Sequence, residues 1–480
     1  MPSWSPDFSI ATPPSRHIRI DRVERDASPL NEILYEARVL DAYTIGVQAY
    51  VYGWPAVENW RVRSRLLDPE ARQHAPLNAF LHEPDPADHR YELFVTPNAD
   101  LLYSEAFFDL RDEPLVLHVP DTGGMRYWAA QILDSFTDTV ANVSHRSVGS
   151  GPGDYVLTGP GWTGALPPGT TEVRVPTGTG FVLLRTVFED AAALDATREV
   201  QREFTLTPLS HHRSSTPFRP EAVDADDPRR AVPATQDELS TSLTFFTVLN
   251  HALREGGIRP GEEGLMHLFA RIGVGPACEA FDVDALDSAT REGLARAVAD
   301  GWRLVQARSA TARTRLRNGW IPPQPDAQTG SYGHDYLQRA GVAHRGIYAN
   351  TEAEYAALPA LLDSAGRPLD GAHRYTVRFA AGRLPRVDAY WSITLYTLPA
   401  RMLLDHPSGR TTVNSLDTLV HNEDGSLDIH IQPEEPDDPA LRPNWLPSGP
   451  GPFQLILRAY RPTDPDLCHG EWNPPAIDRH

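Results

Sequence analysis

The chain of 480 residues contains no lysine; all 44 of its Lys and Arg positions are arginine. That absence closes every mechanism that uses a lysine amine, including Schiff-base formation, pyridoxal phosphate anchoring and the phosphate-loop and kinase lysines. Cysteine is nearly absent too. Cys278 and Cys468 are the only two and stand 190 residues apart, so neither a disulfide framework nor a thiolate zinc site follows from them. No apolar run approaches the roughly 18–20 residues that span a bilayer. "MPSWSPDFSIATPPSRHIRID" lacks the basic and apolar regions of a signal peptide, which makes a cytoplasmic protein the expectation. The motif vocabulary is as sparse: there is no G-x-S-x-G elbow, H-E-x-x-H pair or complete G-x-G-x-x-G, and "GSGPGDY" and "PTGTGF" read as β-turns. A net charge of −20, with arginines dispersed among more numerous acids, argues against nucleic acid.

What is present is globular, with 41% hydrophobic and 22% charged residues. Ser28-Pro29 is a helix start, and Leu30, Ile33, Leu34, Ala37 and Leu40 recur at helical spacing. That helix is expected to end near Trp54, ahead of Pro55, with a second running to Leu67. From 91 to 188 the period changes to two. In "LLYSEAFFDL", Leu102, Ser104, Ala106, Phe108 and Leu110 take one face and Tyr103, Glu105 and Asp109 the other, as in a half-buried strand. Turn-rich segments interrupt short strands about every ten residues, the pattern of an antiparallel sandwich. Residues 189–320 read as helix, broken by the polar, proline-rich "SSTPFRPEAVDADDPRRAVPAT"; alternation returns after 372 in "VDAYWSITLY" and "SLDIHIQ".

The two β regions echo each other. "RYWAAQILD" matches "AYWSITLYT", "GPGWTG" matches "RPNWLPSG", and "TGFVLLRTV" matches "GPFQLILRAY", in the same order. The fold class expected is therefore α+β: two antiparallel β-sandwich, jelly-roll-like modules, an N-terminal helical segment and a helical region between the modules. The divisions are an arm at 1–27, helix plus first module at 28–190, the helical region at 191–320, an aromatic connection at 321–372 and the second module at 373–480.

The segments "TPNADLLYSEAFFDL", "EPLVLHVPDTGGMRYWAAQILDSFTD" and "GDYVLTGPGWTG" resemble the bacterial family labelled domain of unknown function 1254. "GRLPRVDAYWSITLY", "NEDGSLDIHIQ", "NWLPSGPGPFQLILRAYRP" and "GEWNPPAI" resemble its usual C-terminal companion, domain 1214. The resemblance implies paired β-sandwich domains with helical elements, often in exported proteins, and supplies no catalytic residue. Ala99 stands where the family motif usually has a second Asn.

The turn "TPNAD" supports two readings. If the alternation of "LLYSEAFFDL" extends backwards, Asn98 and Asp100 project on the apolar face, and Asp134 extends the face of Trp128, Ala130 and Ile132. Two carboxylates at the rim of one pocket would form an acid/base pair, with Tyr103 beside them. Alternatively, Asn98 and Asp100 cap the turn and Asp134 caps a strand end. The catalytic candidates are thus Asp100, Asp134 and Tyr103. Substrate-binding candidates are Asn98, Trp128, Gln131, Tyr390 and Arg458, with Trp320, Tyr332 and His334 from the aromatic connection. Arg185 and Arg458 occupy equivalent places in the repeat, where structural pairing competes with substrate recognition. His430 with Asp428 and Gln432 lies on a solvated strand face, and no metal or cofactor is expected. The leading function is a cofactor-independent acid/base enzyme (isomerase, lyase or hydrolase) acting on a small, mainly apolar metabolite. The alternatives are a non-catalytic hydrophobic-ligand or lipid-binding protein and an oligomeric structural protein; a homo-oligomer is compatible with each.

Overall fold

The computed structural model describes residues 29–221, 223, 235–278, 281–311, 315–323 and 328–480. The arm at 1–27 and most of the proline-rich excursion lie outside them. The described residues divide into two units: those within 29–64, 235–311 and 334–345 form a helical unit, and those within 65–223, 315–333 and 346–480 form a β-rich unit.

In the helical unit the first helix is one element, Pro29–Leu66, with Pro55 inside it. Proline costs an interior helix one backbone hydrogen bond, and burial offsets that loss here. Tyr50, Tyr52, Trp54 and Val57 are all within 1% of full burial, against partners such as Phe245, Phe269 and Trp302. The long helix Ser288–Thr311 lies against it at Gly293, where a Cβ would come within 2.4 Å of the Val39 carbonyl oxygen. The helical run expected over 236–254 is two helices, Gln236–Thr241 and Thr244–Gly256.

The β-rich unit holds two sandwiches of the same design. In the first, one sheet has the order 81–82, 102–109, 179–186, 128–134, 139–144, and the facing sheet the order 171–174, 153–158, 115–119, 205–208. In the second, one sheet has the order 355–360, 453–460, 391–397, 402–403, with 412–414 also on 391–397. Its facing sheet has the order 445–447, 427–432, 375–379, 477–479. Both cores fill the space between the sheets: Phe108, Trp128 and Leu184 meet Leu117, Leu157 and Leu206 in the first, and Ile393, Leu455 and Leu457 meet Val377, Ile429 and Ile477 in the second.

Taken in chain order, eight strands of one module map onto eight of the other, in the same position in the same sheet. Even the departure from antiparallel pairing repeats: 153–158 with 171–174, and 427–432 with 445–447, are parallel. The register repeats as well, Trp128 opposite Thr186 and Trp391 opposite Ala459. Not every sequence echo is an equivalence, because Trp162 lies in the turn before strand 171–174 whereas Trp445 opens its own strand.

Two strands lie where none was expected. Thr205–Pro208, inside the stretch read as helix, edges the first module, and Tyr355–Ala360 opens the second. "YAALPA" has the alanine and proline content that strands avoid, and its proline is tolerated because the strand lies at a sheet edge. The helix Tyr336–Gly346 likewise lies within the aromatic connection.

Candidate functional site

The strand Leu102–Asp109 is buried on both faces rather than half-buried. Tyr103 and Glu105 leave its polar face, and Tyr91, Phe94 and Tyr348 cover them. In the second module, Tyr390, Ser392 and Tyr396 lie opposite the core face of Trp391, Ile393 and Leu395 and are all fully buried. The first module's turn at 96–100 covers the polar face of the second, and Tyr348 from the second module's loop packs on Phe94 at the first.

The turn Thr96-Pro97-Asn98-Ala99-Asp100 docks on the second module. Thr96 has a left-handed backbone, φ 54°, so the alternation of the following strand does not extend back through it, and the strand opens at Leu102. Arg458 donates from Nη2 to the Thr96 carbonyl at 2.9 Å and from Nε to the Tyr355 hydroxyl at 3.2 Å. Tyr396 donates to the Pro97 carbonyl at 2.6 Å, and Asn98 Nδ2 donates to the Tyr460 hydroxyl, also at 2.6 Å. Tyr103, from the first module, accepts the Asn98 N–H at 2.9 Å.

Asp100 is 3% exposed and points at the second module rather than into the first module's core. Tyr390 donates to its Oδ1 at 3.2 Å, and the Tyr390 ring stacks on Tyr460 at 4.3 Å. Asp100 Oδ2, Ser392 Oγ and Arg458 Nη1 are buried; the Ser392 hydroxyl acts on the Asp100 carboxyl, and Arg458 Nη1 has no hydrogen-bond partner among the described residues. Burial pushes the Asp100 carboxyl above its ordinary range, against the pull of the nearby Ser392 hydroxyl, Arg458 guanidinium and Tyr390 hydroxyl. Burial likewise pushes Tyr103 up to about 12, and raises Tyr390 and Tyr460, each further raised by Asp100. The arrangement can hold a proton at Asp100 and offer a guanidinium N–H nearby.

Asp134 does not join it. Its Oδ1 accepts the Phe136 and Asp138 N–H groups at 2.9 and 3.0 Å, which is turn capping. It also lies at the wrong end of the sheet: Trp128 and Leu102 both pair with Thr186, whereas Asp134 and Phe108 both pair with Gly180. At about 3.3 Å per strand residue, six residues separate the two ends by roughly 20 Å, so the shared carboxylate pocket is not formed.

The other candidates divide in the same way. Trp128 is a core side chain packed on Phe204. Trp320 belongs to the second module's core and donates Nε1–H to the Pro475 carbonyl at 2.8 Å. Tyr332 is buried, and its N–H is held by Asp138 Oδ1 at 2.7 Å, beside the capped turn. His334 is exposed and belongs to the helical unit. Gln131 accepts from Arg185 Nη1 at 2.8 Å and donates to Thr139 Oγ1 at 2.8 Å and to the Ala349 carbonyl at 3.2 Å. Sequence reasoning missed Tyr355, Tyr396, Tyr460 and Ser392; the available signal was a polar strand face populated by tyrosine, which a solvated face does not need.

The docking is reciprocal. Arg185 of the first module reaches the carbonyl of Tyr348, at 3.4 Å, as Arg458 of the second reaches that of Thr96. Tyr348 is also left-handed, φ 64°, and Tyr348-Ala349-Asn350 repeats the Thr96-Pro97-Asn98 pattern. Opposite the second module's loop, Ser144 donates to buried Glu354 at 2.6 Å and Arg146 at 2.7 Å. Glu354 also raises the Tyr127 hydroxyl, after burial itself; Tyr127 is the repeat partner of Tyr390. Among the described residues, no group of three or more His, Cys, Asp or Glu side chains is placed to hold a metal ion.

Residues 77–208 match the model of a protein of unknown function, DUF1254, and residues 354–464 match that of DUF1214. The chain belongs to the family that pairs these two domains. The DUF1254 match ends with the last strand of the first sandwich, and the DUF1214 match opens at the first strand of the second. No curated protein matches the chain. The VPA0106 protein from Vibrio parahaemolyticus has a similar fold, with TM-score 0.66 and 23% identity over 92% of this chain and all of that one. An uncharacterised protein from Burkholderia cenocepacia aligns with TM-score 0.45 and 15% identity over 96% of this chain and 91% of that one. In this DUF1254–DUF1214 chain, no described helix is long and apolar enough to cross a membrane.

Proposed function

We propose that the protein is a cofactor-independent acid/base enzyme acting on a small, mainly apolar metabolite bound at the Asp100 turn. One observation carries the proposal: buried Asp100 interacts with the Ser392 hydroxyl, and Arg458 Nη1, whose guanidinium also acts on Asp100, is buried without a hydrogen-bond partner among the described residues. A buried polar atom without a partner costs about 1–3 kcal/mol, so Arg458 Nη1 motivates a ligand oxygen that satisfies it. In this reading Asp100 transfers the proton, Arg458 Nη1 holds a carbonyl or carboxylate oxygen, and Tyr390 orients Asp100. Tyr103 and Asn98 act as positioning residues, since their bonds shape the turn. The surrounding tyrosine rings suit an apolar substrate body. We place this activity in the cytoplasm, with assembly into a homo-oligomer compatible with it.

The test has two parts. Mass spectrometry of material released by denaturing the purified protein should find a small organic molecule at near-stoichiometric amount. Incubation of the protein in D2O with that molecule, followed by proton NMR, should show deuterium uptake or isomerisation at a carbon next to an oxygen function. Ligand release without any chemical change would favour the non-catalytic binding protein.

A further inference from the structure

The repeat that relates the two sandwiches also relates two carboxylates. Leu102 pairs with Thr186, the partner of Trp128, and Ala356 pairs with Ala459, the partner of Trp391. Asp100 and Glu354 each stand two positions before those strand residues, and Tyr127 and Tyr390 each precede the tryptophans. In one half the corresponding groups meet: Tyr390 of the second module donates to Asp100 of the first at 3.2 Å. In the other half the bond from Tyr127 of the first module to Glu354 of the second is not made. Neither Glu354 Oε2 nor the Tyr127 hydroxyl has a hydrogen-bond partner among the described residues.

Both side chains are fully buried. The internal partners of Glu354 crowd onto a single oxygen, since Ser144 Oγ donates to Oε1 at 2.6 Å and Arg146 Nε donates to the same atom at 2.7 Å. Glu354 and Tyr127 are close enough to act on each other: burial first, and Glu354 next, raise the Tyr127 hydroxyl above its ordinary range, so it keeps its proton. The Tyr460 ring lies beside that of Tyr127, with centroids 5.3 Å apart. Arg146, bonded to Glu354, is only half-buried and links the site to solvent.

A carboxylate oxygen and a phenolic O–H left open together call for one group that donates to the first and accepts from the second, and a hydroxyl does both. Arg146 already supplies the carboxylate with its cation, and the carboxylate would repel an anion, so the group that fits is neutral. Two buried polar atoms without partners also carry a cost that such a group removes. We infer that Glu354 and Tyr127 form a second binding site, for the hydroxyl of a small alcohol. Its O–H donates to Glu354 Oε2, its oxygen accepts from Tyr127, and its carbon body lies against the Tyr460 ring. The inference is independent of the Asp100 reading.

Saturation-transfer NMR titration of the full chain with 1-butanol, and with its isomer diethyl ether, which has the oxygen without the O–H, tests it. Butanol should bind saturably, and the ether about tenfold more weakly or less. Tyr127→Phe, which deletes only the hydroxyl, should weaken butanol binding about fivefold, and Glu354→Gln, which sets an NH2 where Oε2 stood, about tenfold. Crystals soaked in butanol should place its oxygen within hydrogen-bond distance of both side chains. No saturable binding by the wild type, equal binding of alcohol and ether, undiminished binding by Tyr127→Phe, or a fixed water at that position that butanol does not displace would overturn the inference.

Discussion

Asp100 and Asp134 show how far one residue's chemistry was legible beforehand. Both are Asx residues beside strands, and capping competed with catalysis for each. The backbone decides between them. The turn after Asp134 presents two N–H groups to its Oδ1, whereas Asp100 accepts from a tyrosine 290 positions away, and no local pattern encodes that separation. Substitution should separate the roles. Asp134→Ala should cost about 0.5–2 kcal/mol, as loss of a cap does, read as a lowered thermal midpoint. Asp100→Asn should leave that midpoint unchanged or raised, because it removes a charge from a buried site. Glu105 supplies the pH test. Its folded carboxyl is raised well above the ordinary value, so folding favours the protonated form. The associated stability is fully present below the ordinary glutamate value, about 4.3, and is lost as pH rises through the folded one. In denaturant titrations across pH, Glu105→Gln should therefore gain on the wild type as pH rises. A constant difference would mean that Glu105 does not titrate with folding.

At the scale of elements, alternation located the central strands because each sandwich core demands an apolar residue at every second position: Trp391, Ile393 and Leu395 point inward as read. It could not say what covers the other face. Tyr390, Ser392 and Tyr396 occupy the face opposite that core, and a loop distant in sequence seals them. The edge strands were the least legible, since Tyr355–Ala360 contains Ala and Pro and its place is set by pairing with Phe453–Tyr460. Arg185 and Arg458 were legible as a repeated pair, and each proves to hold the carbonyl of a left-handed residue in the opposite module's loop. Arg458→Met keeps the stem and removes the charged hydrogen bonds, so it should cost about 1.5–3 kcal/mol. Arg185→Met should fall in the same range, measured by urea unfolding. A loss in only one of them would break the functional equivalence of the repeat.

At the scale of the whole molecule, repetition of strand order, parallel pair and register argues that the two sandwiches descend from one module by duplication, and the reciprocal loops explain why they stay together. Each module's loop satisfies polar groups on the other's main sheet, and separating them would leave buried donors and acceptors unpaired. Hydrogen exchange should accordingly show Arg458→Met loosening the amides of Leu102–Asp109 in the first module as well as those of Phe453–Tyr460 in the second. Exchange confined to the second module would show that the loops do not couple them. The functional claim rests on the same junction, and one comparison tests it most directly: the rate of deuterium uptake by the protein's own co-purified molecule, with wild type, Asp100→Asn and Asp134→Asn at equal folded concentration. The account predicts turnover by the wild type and Asp134→Asn, and none by Asp100→Asn. Undiminished turnover by Asp100→Asn would contradict it.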